Sequence, residues 1–134
     1  MNYVAIVVAG IFNMALGFLW YGPVFGKMWM EFNGYTKDSM EKAKKDGSMG
    51  MKYGMMFVSA LVLAYFMNWL VNVTGASNWM TGALIGGMAW LGFTATTQFG
   101  NWIFSGKKFG AFLIDTGYFL VSFAVFGALF AVWK

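Results

Sequence analysis

Four long apolar runs, broken by short polar stretches, dominate the chain. The first, 3–22, carries no charge and one strongly polar residue, Asn13. Twenty residues of helix rise about 30 Å, the thickness of a bilayer's hydrocarbon core. Trp20 and Tyr21 stand at its end, where amphipathic rings favour the headgroup level. Pro23 lacks an N–H and disfavours α geometry at Gly22, which predicts a stop or kink there. Lys27 and Trp29 suit an interfacial segment, the lysine reaching back to water. Trp20, Tyr21, Pro23, Lys27 and Trp29 together read as interfacial anchors at a helix exit.

The remaining apolar runs cover 53–73, 78–99 and 109–133. The long polar stretch inside the basic loop 23–52 predicts a short helix. Asn33-Gly34 is a turn signal. Thr36 or Asp38 can cap the helix, Glu41 follows Asp38 as in a capping box, and Gly47 ends it. The third run contains Gly82-x-x-x-Gly86 and Ala83-x-x-x-Gly87, a spacing that lets helices approach closely in lipid. Gly82, Gly86 and Gly87 are therefore expected packing positions. The pattern predicts one all-α domain, an integral membrane bundle of four transmembrane helices.

The polar breaks also orient the chain. Lys27, Lys37, Lys42, Lys44, Lys45, Lys52, Lys107 and Lys108 fall in the first and third loops, leaving only Lys134 and the amino terminus on the other side. The positive-inside rule places both basic loops in the cytoplasm and both termini outside, in a multi-pass cell (plasma or inner) membrane protein. No basic n-region or small-residue cleavage site accompanies the first run, so it reads as a retained span. The halves echo each other. Leu16-Gly17-Phe18 precedes Phe25-Gly26 as Leu91-Gly92-Phe93 precedes Phe99-Gly100, and Lys52-Tyr53-Gly54 matches Lys108-Phe109-Gly110. Two hairpins pointing the same way would make a parallel repeat, pairing Ser59 with Asp115. Convergent use of the same interfacial residues would give the same echo.

Composition reinforces the membrane reading and narrows the chemistry. Hydrophobic residues make up 60% and charged residues 10%, where soluble chains carry about a quarter charged. Cysteine and histidine are both absent, removing thiolates, the commonest general base and the commonest metal ligand. The charge of +4 rests on lysines alone and reports topology. These lysines lack the interleaved aromatics of a nucleic-acid groove, and the glycines lack phosphate-loop spacing. Met49, Met51, Met55 and Met56 offer soft sulfur for copper(I), but flexible packing accounts for them better. No metal, cofactor or catalytic residue is expected.

Asp115 is the only acid inside an apolar run, and such residues are costly in lipid. It can pair with Lys52 or Lys108, hydrogen-bond another helix, or handle a proton or cation. Thr94, Thr96, Thr97 and Gln98, with Asn101 beyond, form a polar end to the third run. They either bond back to their own helix or line a polar cavity with Asp115 and Asn13.

The segment L-G-F-L-W-Y-G-P-V-F-G-K-M-W, Leu16 to Trp29, resembles the signature of a small membrane family, domain of unknown function 1761. W-L-G-F at Trp90 to Phe93, N-W-I-F-S-G-K-K at Asn101 to Lys108 and I-D-T-G-Y-F-L-V at Ile114 to Val121 look like its later motifs. The resemblance covers nearly the whole chain in order. It implies an integral membrane protein of four helices and no particular activity. It also implies that asparagine often stands at position 115 and histidine at 119, which weighs against a proton role for Asp115.

The expected function is a structural or accessory subunit of a membrane assembly, not an enzyme. The alternative is a small transporter or channel-like protein using Asp115 and the polar end of the third run. The expected partners are the lipid bilayer and either further copies of the chain or a larger membrane complex. No nucleic acid is expected, and no soluble substrate is identifiable.

Overall fold

The computed structural model describes residues 2–45 and 49–133, and every element among them is helical. Helix α1 (Tyr3–Leu19) is capped by Asn2, whose side chain accepts from the Ala5 N–H. It runs into a π turn over Trp20–Val24, then into α2 (Gly26–Asn33). Gly34, at φ 78°, closes α2 in the left-handed conformation that glycine adopts without cost. Helix α3 (Lys37–Lys45) is followed by α4 (Met49–Thr74). Helix α5 (Trp79–Ala89), a second π turn over Trp90–Ala95 and α6 (Thr96–Ile103) form one unbroken helical run. Helix α7 (Phe109–Val132) closes the chain.

Three of these helical stretches, Tyr3–Val24, Gly50–Thr74 and Phe109–Val132, are long and apolar enough to cross a membrane. The α5–α6 run is the further helix of the bundle. Helix α7 is the axis. Asn13 meets Ser122 and Tyr118, and Trp20 meets Ile114, so α1 lies antiparallel to α7. Gly82 abuts Gly127 and Gly86 abuts Phe123, so α5 is antiparallel to α7 as well. Gly10 faces Phe57 and Leu61, and Phe18 meets Tyr53 edge-on, so α4 is antiparallel to α1. The two hairpins therefore point the same way.

The interior is built for close approach. Ala5 and Ala9 of α1, Ala64 and Val71 of α4, and Phe126 and Phe130 of α7 belong to one buried cluster. Lipid resembles these side chains, so dispersion between matched surfaces does the packing work that the hydrophobic effect does in water. Gly82, Gly86 and Gly127 let α5 and α7 touch backbone to backbone. Gly87 has nothing within 4 Å and faces outward. Outer faces are apolar, as at Val4, Val7 and Ile11. Met51, Met55 and Met56 lie on the outer face of α4 and do not fill core gaps.

Several local expectations need correction. The first helix does not stop at Gly22. Pro23 sits inside the π turn, where the Phe25 N–H donates to the Trp20 carbonyl five residues back at 2.9 Å. A widened turn shifts the bonding register, so a residue without a donor is accommodated. The α geometry breaks at Phe25, with φ −122° and ψ 5°. Basic loop 23–52 is largely helical, and α4 begins at Met49 within it. The third helical run extends to Ile103. The cap of α3 is Thr36, whose hydroxyl accepts from the Ser39 N–H while the Ser39 hydroxyl accepts from the Thr36 N–H. Ser39 thus takes the place expected of Glu41. Gly47 lies outside the described residues. Ser59 is exposed, with no role matching that of Asp115.

Candidate functional site

Four aromatic side chains converge on three consecutive residues of α7. Trp20 donates its indole N–H to the Ile114 carbonyl at 2.8 Å. Trp90, from the other side of the bundle, donates to the Thr116 carbonyl at 2.8 Å. Between them, Tyr21 donates its hydroxyl to Asp115 Oδ1 at 2.6 Å, and Trp29 donates its indole N–H to the same oxygen at 3.1 Å. Trp20 and Trp90 each open a π turn and each stands two residues before a glycine, Gly22 and Gly92. The local likeness of the halves therefore runs through W-x-G, a different register from the L-G-F echo.

Of the roles expected for Asp115, the geometry shows the hydrogen bond to other helical segments. Among the described residues its donors are Tyr21 and Trp29, and no lysine is among them. The acid is a helix–helix hydrogen-bond hub. Tyr21 stacks edge-on against Trp29 at 5.6 Å and Tyr118 at 5.5 Å, which fixes the hydroxyl over the carboxylate. Trp20, Tyr21 and Trp29 are half-buried against α7, so they do more than sit at an interface. The signal for this lay in the sequence, as three donors in ten residues and one acid elsewhere with no charged partner in its own run.

The polar end of the third run divides. Thr96 and Thr97 bond back to Gly92 and Phe93 of their own helix. Thr94 is half-buried in the π turn. Gln98 and Asn101 join Asp115, Trp102, Ser105 and Lys107 around a cleft of about 220 Å³ between α6 and the start of α7. Asn101, Ser105 and Lys107 are exposed at its mouth, and Gln98 and Asp115 are half-buried deeper in. Trp102 shapes the mouth, donating its indole N–H to the Lys107 carbonyl at 3.0 Å and so folding the loop back. Gly106, at φ 72°, makes that turn. Gln98 Oε1 is shut off from solvent and has no hydrogen-bond partner. Thr116 Oγ1 is the other such atom among the described residues.

Asn13 does not reach the cleft. It is buried higher in the bundle, where its Oδ1 takes the Ser122 hydroxyl at 2.5 Å and its carbonyl takes the Tyr118 hydroxyl at 2.8 Å. Such bonds between membrane helices contribute about 0.6 kcal/mol on average and up to about 1.7. Ser122→Ala should cost about 1 kcal/mol, because it leaves Asn13 Oδ1 buried without that donor. Thermal unfolding in mild detergent checks this, and an unchanged Tm would contradict it.

Compared with known proteins, the chain matches the family described as "Protein of unknown function (DUF1761)" over residues 4–131. No curated protein and no solved structure matches it.

Proposed function

The chain belongs to the DUF1761 family over nearly its whole length, and from that premise we propose that it is a four-crossing accessory subunit of a membrane assembly. In this reading it carries no solute across the membrane by itself and has no enzymatic activity. One observation carries the proposal. The polar cleft is confined to the lysine-rich end, and beyond Asp115 the α5–α7 interface is closed by backbone contact at Gly82, Gly86 and Gly127. The aromatic pair Tyr21 and Tyr118 and the buried Phe126 and Phe130 fill the rest. This packing among the described residues supports a single copy that does not pass a hydrated solute.

Parity supports the fourth crossing. Asn2 and Trp133 meet at one end of the bundle, which requires an even number of passes. The α5–α6 run, residues 79–103, is about 37 Å long and antiparallel to α7, so it suits that role. Lys27, Lys52, Lys107 and Lys108 gather at the opposite end, which supports a cytoplasmic basic face in a cell membrane. Outward-facing Gly87, with Ala83 one turn before it, supports contact with a helix of a second copy or another subunit.

The cysteine-free chain allows clean tests. An impermeant thiol reagent added outside cells should label Thr74→Cys and miss Ser105→Cys, the two positions that flank the α5–α6 run. The reverse pattern would invert the topology, and equal labelling of both would remove the fourth crossing. Gly87→Cys should give crosslinked species in native membranes, and reconstituted vesicles should show no flux above empty ones. A lone monomer at every crosslinker length would sink the subunit reading. The carrier reading has one observation in its favour, the acid-lined cleft itself, and measurable flux abolished by Asp115→Asn would establish it.

A further inference from the structure

The cleft between α6 and α7 holds one acceptor that the fold leaves open. Asp115 takes both of its donors, Tyr21 and Trp29, on Oδ1, and among the described residues none is directed at Oδ2. A carboxylate oxygen without a donor at a cleft invites a charged one. At the mouth stands Lys107, exposed and of opposite sign. Asp115 lies about 9 Å along α7 from its first residue, Phe109, so the two charges occupy opposite ends of the cleft. Trp102 and Phe112 line the wall between them with apolar surface.

We propose that this cleft binds a small zwitterion bearing a primary ammonium and a phosphate or carboxylate. The ammonium seats on Asp115 Oδ2, and the anionic group faces Lys107 and the Asn101 amide. A plain cation would meet repulsion from Lys107 on entry, and a plain anion would meet Asp115 at the end. A zwitterion satisfies both charges. A quaternary ammonium has no N–H to give Asp115 Oδ2, so the site discriminates against it. A volume of about 220 Å³ is below the range for drug-sized ligands and suits a molecule of headgroup size. The inference goes beyond the subunit reading and holds whether the protein acts alone or in an assembly.

The same chemistry exists as a free solute and as a phosphatidylethanolamine headgroup, and the test separates them. O-phosphoethanolamine, ethanolamine and glycerol phosphate are titrated calorimetrically against the full chain in detergent. In parallel, the chain is placed in phosphatidylglycerol nanodiscs with either phosphatidylethanolamine or phosphatidylcholine, and retained lipid is read by native mass spectrometry. A free-solute site gives saturable phosphoethanolamine binding, with the two half-ligands at least about tenfold weaker. A headgroup site gives selective retention of phosphatidylethanolamine over phosphatidylcholine. Lys107→Gln should weaken whichever signal appears by about tenfold. Lys107 is exposed outside the packed bundle, so that variant tests the site without disturbing the fold. Ethanolamine binding as tightly as phosphoethanolamine would overturn the proposal, as would indifference to Lys107→Gln or absence of both signals.

Discussion

Replacing Gly86 with alanine should destabilise the protein by about 3 kcal/mol or more, lowering Tm by about 10 °C, although it adds a single methyl group. The cause is position. A Cβ on Gly86 would fall on the Phe123 carbonyl of α7, and backbone atoms cannot rotate aside as a side chain can. The helices must separate, and the dispersion contacts flanking the glycine weaken along with the clash. Gly82 and Gly127 face each other in the same way, so either alanine variant should behave alike. The control is the next residue. Gly87→Ala meets nothing within 4 Å and should be neutral or stabilising by up to about 1 kcal/mol, because alanine costs less than glycine inside a helix. Thermal unfolding of the two variants in the same detergent gives a direct comparison. Equal Tm values would mean that the α5–α7 interface is looser than its geometry requires.

That contrast also shows what the amino-acid pattern conveys and what it leaves out. Gly82-x-x-x-Gly86 and Ala83-x-x-x-Gly87 are equally good small-residue motifs on paper. They lie one residue apart, hence about 100° apart around the helix, and only one can face a given neighbour. Hydropathy identifies membrane helices because every span must be apolar, but lipid and protein are equally apolar surroundings. It therefore cannot say which face meets α7. The lysine distribution, by contrast, depends on loops alone and is readable without any packing knowledge.

The exit segment after α1 was harder to read for a different reason. Trp20, Tyr21 and Trp29 are residue types that settle at membrane interfaces, so their placement near a span's end had a sufficient explanation. The second use of Tyr21 and Trp29 depends on Asp115, more than eighty residues away in sequence, and that of Trp20 on the neighbouring Ile114 carbonyl. It also depends on a π turn that carries the helix through Pro23 and brings α2 against α7, where Phe32 packs on Gly110. A proline normally signals an end, and here the added residue in the turn converts the end into a bend. Trp90 repeats the arrangement without a proline. The common feature is an indole opening a π turn and donating to a carbonyl of the axial helix.

Asp115→Leu should cost about 3 kcal/mol or more, and Asp115→Asn only about 1 kcal/mol. Leucine removes the acceptor and leaves the Tyr21 hydroxyl and the Trp29 indole N–H without partners in a half-buried, aromatic-lined position. Each unmet donor there costs about 1–3 kcal/mol. Asparagine keeps a carbonyl oxygen where Oδ1 stands, so both donors retain a neutral acceptor and only the charge assistance is lost. The donors give the converse. Tyr21→Phe removes one bond and should cost about 1–2 kcal/mol in the wild-type background, but much less in Asp115→Leu, where the acceptor is already gone. A double-mutant cycle on these two positions, read by thermal unfolding, should therefore give a coupling of about 1 kcal/mol or more. The order Leu worse than Asn distinguishes a hydrogen-bond hub from a buried charge that the fold merely tolerates. In the second case both substitutions would relieve the cost of a carboxylate in lipid, and both variants would unfold at or above the wild-type temperature.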